Sequence, residues 1–147
     1  MQNARPKQFV AVLDFGAQYG QLIARRVRDM HVYSEIVPCD ISAADLAAMS
    51  PSAIILSGGP ASVYAQDAPD MDGAIFDLDI PILGFCYGEQ IMAVKLGGEV
   101  AHTDKGEYGP SMLTRLGSSV LLDGTPNGGQ TVWMSHRDSV SKAPEGF

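Results

Sequence analysis

The first hundred residues alternate short apolar stretches with helix-patterned ones, and this alternation constrains the fold more than any other feature of the chain. Phe9 to Phe15, Tyr33 to Val37, Ala53 to Ser57 and Ile80 to Gly84 read as strands. The first and third are almost continuously apolar, the pattern of strands buried on both faces of a parallel sheet. Helices are expected over 21–30, 42–49 and 89–96. The first carries Leu22, Ile23, Val27 and Met30 on one side and Arg25, Arg26 and Arg28 on a solvated face. The second opens with Ser42 as N-cap and Asp45 near the position of a capping-box acid. Strands alternating with helices imply right-handed crossovers, hence an α/β fold: an open, mostly parallel sheet with helices on both faces. From Gly97 the character changes. Tyr108 to Leu116, Ser119 to Leu122 and Gln130 to Met134 read as short strands between Gly, Pro and Asn turns, a β-rich C-terminal part that is antiparallel in part.

The 147 residues suffice for one domain with a core, and 46% hydrophobic against 18% charged residues describes an ordered globular chain. A net charge of −7 leaves no electrostatic footprint for nucleic acid. The longest apolar runs are strand-sized, well short of the ~20 residues of a membrane span. The segment from Met1 to Gln8 is polar and lacks a signal-peptide core. Two cysteines make no disulfide framework, so a reducing cytoplasm is the expected setting.

The chemistry centres on Gly84-Phe85-Cys86-Tyr87-Gly88, a G-x-nucleophile-x-G layout with sulfur at the nucleophile position. A sharp strand-to-helix turn crowds the residues two before and two after the nucleophile, and glycine relieves that crowding. A thiol at a helix N-terminus faces free N–H groups and the positive end of the dipole, which favour thiolate. The competing reading of Cys86, a buried structural cysteine, leaves the paired glycines unexplained. An elbow of this kind uses the N–H following the nucleophile, here Tyr87, for an oxyanion. A second donor comes from a glycine-bearing loop, and Ser57-Gly58-Gly59-Pro60 qualifies; a tight turn or a phosphate loop is the alternative. Cys39 has no such context and reads as structural. Among the histidines, His31 falls at a helix end, His102 has no discernible partner, and His136, placed in a polar loop after a strand, is the best situated. A structural histidine is the simpler reading even there.

These motifs fit a family. Leu13 to Tyr19, Val37 to Asp40, Ile55 to Val63, Ile82 to Gln90, Glu107 to Gly109 and Val132 to His136 together resemble the class I (triad) glutamine amidotransferases. Within that family they are most similar to the N-terminal glutaminase domains of GMP synthases. The resemblance implies a flavodoxin-like sheet and attack by Cys86 on the side-chain amide of glutamine, through a glutamyl thioester. It implies Gly59 and Tyr87 as oxyanion donors, and Gln90 with the Arg137-Asp138 segment as holders of the substrate. It implies no metal and no cofactor for glutamine hydrolysis. ATP and Mg would belong to a synthetase domain of the ATP-pyrophosphatase type, the partner that accepts ammonia to aminate XMP. A homodimer through a further C-terminal part is also compatible with it.

The sequence departs from the family at three points. The family's catalytic histidine and glutamate lie in a His-Pro-Glu motif that does not occur here, and the synthetase domain is absent. Arg137 stands where the family commonly has glycine, which would strain the backbone if φ is positive there. The expectation is therefore a single amidotransferase domain over 1–147, incomplete at its C-terminus and close to inactive alone. Two other readings stay open. One is an elbow-cysteine hydrolase, such as a peptidase-like protein, of a related fold. The other is a flavodoxin-like binding module that uses its glycine loops for phosphate.

Overall fold

The computed structural model describes residues 6, 8–126 and 128–147, apart from the side chains at 103–105. The polar N-terminal stretch at 1–5 and 7, and Asn127, lie outside the described residues. The elements run β1 (Phe9–Asp14), α1 (Gly20–Asp29), β2 (Tyr33–Pro38), α2 (Ala43–Met49), β3 (Ala53–Leu56), a 3-10 turn (Gly73–Asp77), β4 (Ile82–Gly84), α3 (Tyr87–Lys95), β5 (Glu99–Leu113) and β6 (Gln130–Lys142). The chain divides into two compact units. One comprises the residues up to Val100 together with Val140–Phe147, the other Ala101–Ser139.

The first unit holds a four-stranded sheet in the order β2-β1-β3-β4, every pair parallel. The chain steps from β1 outward to β2, then returns across β1 to β3. Right-handed crossovers in opposite directions put α1 and α2 on opposite faces. The alternation of side chains agrees. Phe9, Ala11 and Leu13 of β1 share one core cluster with Leu46 of α2, Ile75 of the 3-10 turn, and Tyr87 and Ile91 of α3. On the other face, Ser34 of β2, fully buried, donates its hydroxyl to the Ala24 carbonyl of α1 at 2.8 Å. The order reverses direction at β1 and β3, and the loops leaving the C-terminal ends of β1, β3 and β4 carry the site. In open α/β sheets ligands bind at this edge.

Local chemistry explains the element ends. Ser42 caps α2 as expected: its Oγ accepts from the Asp45 N–H at 3.1 Å and donates to the Asp45 carboxylate at 2.7 Å. Helix α3 stops at Gly97, with φ +88°, where the Gly98 N–H reaches the Ala93 carbonyl at 2.7 Å.

The β-rich part differs from expectation in two respects. Strand β5 covers Glu99–Leu113, so it begins well before the expected Tyr108 and ends short of Leu116. Ser119 to Leu122 is a turn, closed by Leu122 N–H to the Ser119 carbonyl at 3.0 Å and by Thr125 N–H to Leu122 at 3.0 Å, and is not a strand. The ribbon of β5 and β6 is antiparallel: Glu99, His102 and Glu107 meet Ser141, Asp138 and His136 in falling order. Within the second unit this ribbon leaves Tyr108, Met112 and Trp133 exposed.

Candidate functional site

Three strand ends converge because hydrogen bonds tie them together. The Ser57 N–H bonds the Leu13 carbonyl at 3.0 Å, linking the end of β3 to β1, and the Phe85 N–H bonds the Leu56 carbonyl at 3.0 Å, linking β4 to β3. Ser57 is fully buried. Its Oγ accepts from the Phe15 N–H at 3.0 Å and donates to the Gly58 carbonyl at 2.9 Å. That second bond orients the Gly58-Gly59 peptide. Across a trans peptide the N–H opposes the C=O, so the Gly59 N–H is directed away from the Ser57 side chain.

Cys86 sits at the elbow between β4 and α3. It is the N-cap of α3, with φ 50° and ψ −111°. Such a conformation costs a non-glycine residue about 1–3 kcal/mol and persists only where the surroundings impose it. The flanking glycines show how. A Cβ on Gly84 would lie 2.6 Å from the Glu89 backbone N, and one on Gly88 would lie 2.4 Å from the Leu56 carbonyl oxygen. Neither position admits a side chain, so the helix start sits directly on β3 and β4. Cys86 as a whole residue is solvent-exposed, while its sulfur is partly desolvated.

The two oxyanion candidates are neighbours. A Cβ on Gly58 would approach the Cys86 Cβ to 3.6 Å, and one on Gly59 would come within 3.4 Å of the Tyr87 ring and 2.6 Å of the Phe15 carbonyl oxygen. The Tyr87 N–H is the first of α3 and has no acceptor within the helix. The Tyr87 side chain anchors this turn. It is buried, stacks at a tilt on Phe15 with ring centres 5.3 Å apart, and donates its hydroxyl to the Pro69 carbonyl. Gln90, one turn into α3, is buried as well.

The expected activation of the thiol meets an opposing influence. Burial, and then the carboxylate of Glu89 in the first turn of α3, push the Cys86 thiol above its ordinary value. Sequence reasoning missed Glu89, although an acid three residues after an N-cap is a legible pattern. It also missed Ser57 as the peptide-orienting residue and Tyr87 as an anchor by its side chain. Cys39, partly buried at the end of β2, is likewise pushed up by burial and by Asp40. It packs against the core cluster.

Arg137 and Asp138 belong to the second unit, within β6. Arg137 is not among the non-glycine residues with positive φ, which are His31, Ser50, Asp79 and Cys86 among those described. The condition under which arginine would strain this backbone is not met. Instead Gly106 of β5, with φ +48°, lies opposite: a Cβ there would come 3.3 Å from the Arg137 Cγ. Two histidine readings are corrected. His102 does have a partner, since its Nδ1 meets the buried Asp138 carboxylate at 2.5 Å. His136 is inside strand β6 rather than in a loop, with Nε2 3.4 Å from Glu107. Cross-strand register makes both pairs. Among the described residues, no group of three His, Cys, Asp or Glu side chains is placed to hold a metal ion. No helix there is long and apolar enough to cross a membrane.

Comparison with known proteins adds independent findings. The family model described as glutamine amidotransferase class-I matches residues 11–147. A protein of Parafrankia sp. named GMP synthase, glutamine-hydrolyzing, is 57% identical over 138 residues, 94% of this chain and 26% of its own length. One of the same name from Streptomyces avermitilis is 56% identical over 147 residues, 99% of this chain and 28% of its own length. The chain thus spans about a quarter of the length of the curated relatives it matches. Among solved structures, a Thermoplasma acidophilum protein provisionally named as a GMP synthase subunit superposes with TM-score 0.77 at 29% identity, over 94% of this chain and 69% of its own. A glutamine amidotransferase from Thermotoga maritima, 18% identical with TM-score 0.66 over 92% of this chain and 63% of its own, shares the fold.

Proposed function

Because the chain belongs to the class I glutamine amidotransferase family, we propose that it is the glutamine-hydrolysing part of a GMP synthase, supplying ammonia for the amination of XMP. The observation that carries this reading is Cys86 held at φ 50° and ψ −111° on the N-terminus of α3, above two glycines that no other residue can replace. In this reading the sulfur attacks the side-chain carbonyl carbon of glutamine. The N–H groups of Tyr87 and Gly59 receive the charge that develops on the carbonyl oxygen. The C–N bond breaks, ammonia leaves with the thiol proton, and water cleaves the glutamyl thioester to glutamate and free thiol. Gln90 holds the substrate.

The same reading needs no cofactor at the glutaminase step and assigns ATP and Mg to a synthetase domain that takes the ammonia. It includes a cytoplasmic setting, consistent with two cysteines that remain free. The two histidines of the second unit each pair with a carboxylate of their own ribbon; the base at Cys86 is assigned instead to the family's His-Pro-Glu motif, which does not occur in this chain. Lack of a general base typically removes ~10²–10⁴ in rate. Glutamate release by the purified chain is expected near background. The coding sequence that follows Phe147 is expected to supply His-Pro-Glu and then a pyrophosphatase motif. Efficient turnover by the chain itself, abolished by Cys86→Ala, would overturn the incomplete-triad element. A following sequence unrelated to a synthetase would overturn the assignment to GMP synthesis.

A further inference from the structure

We infer that Glu89 is a built-in restraint on the nucleophile: its carboxylate, set over the first turn of α3, opposes formation of the Cys86 thiolate. The inference rests on reading Cys86 as the nucleophile and deepens that reading. Its basis is positional. Cys86 is the N-cap of α3 and Glu89, exposed, is the acid of its first turn. The Gln90 N–H bonds the Cys86 carbonyl at 3.0 Å, so Cys86 and Glu89 lie on the same first turn. Here the N-cap is the nucleophile itself, so the Glu89 charge and the sulfur belong to one helical turn. Gly84 fixes this arrangement, because the Glu89 backbone presses directly on it.

Among the described residues, no cation offsets the charge from the elements around the elbow in its own unit. The end of β1 brings Asp14 and the loop after it Tyr19, the loop from Ser57 to Val63 brings no ionisable side chain, and β4 brings none. The basic residue of α3, Lys95, is in its last turn and is paired with Asp70 at 2.7 Å. The direction in which the thiol is pushed, by burial and then by Glu89, agrees. Two demands on one position therefore conflict. An acid near a helix N-terminus favours the helix, while the same charge disfavours a second anion there. Glutamine at this position would keep the hydrogen-bonding reach and remove the charge.

The test is the pH dependence of Cys86 alkylation by neutral iodoacetamide, quantified on the Cys86 peptide so that Cys39 does not contribute. Glu89→Gln is expected to raise the rate at neutral pH about three- to tenfold and move the midpoint to lower pH. Glu89→Asp, which keeps the charge, is expected to follow the parent. The gap between the parent and Glu89→Gln should narrow in molar salt. Coincident pH curves for the parent and Glu89→Gln, or an equal rise in Glu89→Asp, would overturn the inference. A companion measurement compares the parent with Glu89→Gln. The rise with ionic strength in the rate of anionic iodoacetate relative to iodoacetamide at Cys86 should be smaller in Glu89→Gln, and an equal rise in both would overturn the inference as well. Neither readout uses glutamine, so failure here leaves the amidotransferase reading standing, and failure of that reading leaves this one testable.

Discussion

The glycines around the elbow and those at 109 and 124 in the second unit are present for different reasons. Around the elbow, Gly59, Gly84 and Gly88 sit where a Cβ would come within 2.4–2.6 Å of backbone atoms. In the ribbon unit, Gly109 and Gly124 have φ of +108° and +89° with nothing within 4 Å of a Cβ. The first group is excluded from change by neighbouring atoms, the second by its own backbone angle. Apolar side chains divide the same way. Leu13, Ile54 and Leu56 are fully or almost fully buried, whereas Trp133 is 76% exposed and Leu116 97%. The sheet unit therefore has the rigidity that a preorganised site requires. The ribbon unit relies on polar cross-strand pairs such as His102 with Asp138.

The sharpest way to break this contrast is at a glycine. Gly88→Ala is expected to cost about 4 kcal/mol or more, because the methyl group meets the Leu56 backbone, which cannot yield without moving β3. Gly117→Ala, with open space around it and no positive φ, is expected to change stability by less than about 0.5 kcal/mol. Chemical denaturation of the two variants measures both, and similar losses would erase the distinction. Next in size are core truncations. Leu13→Ala should cost about 3 kcal/mol, within the usual range for a buried leucine. Trp133→Ala should cost about 1 kcal/mol or less. A large loss at Trp133 would mean that the ribbon face is covered.

The smallest effect concerns acid. The Lys95 ammonium, bonded to Asp70, holds that carboxyl below its ordinary value, so its folded pKa lies under its unfolded one. Its contribution is present above the unfolded value near 3.8 and is lost as pH falls through the lower folded value. The pair is partly exposed, and the effect is correspondingly modest. Lys95→Met should flatten the acid limb of the stability curve slightly, as followed by thermal unfolding between neutral and acid pH. An unchanged limb would show that the pair contributes nothing in solution.

Much of the sheet unit was legible because its signals are local. Apolar runs ending in glycine mark β1, β3 and β4, and the glycines around Cys86 mark the elbow. The ribbon was less legible because its signals are long-range. The strand expected from Tyr108 to Leu116 begins at Glu99 and passes through Gly106, because pairing with β6 sets its length. The partners of His102 and His136 lie 36 and 29 residues away along the chain and are set by strand register alone. At the site, the positive end of the helix was read without the acid three residues further on. Glu89 and the helix dipole act on the same sulfur with opposite sign, and burial adds to the former.

The central claim is that the elbow presents Cys86 to the side-chain amide of glutamine. The most direct test is peptide mapping after treatment with a glutamine-shaped chloromethyl ketone, with and without excess glutamine. The account predicts a single adduct on Cys86, none on Cys39, slowed by glutamine and formed faster than with a peptide-based chloromethyl ketone. Equal labelling of both cysteines, or preference for the peptide reagent with no protection by glutamine, would contradict it.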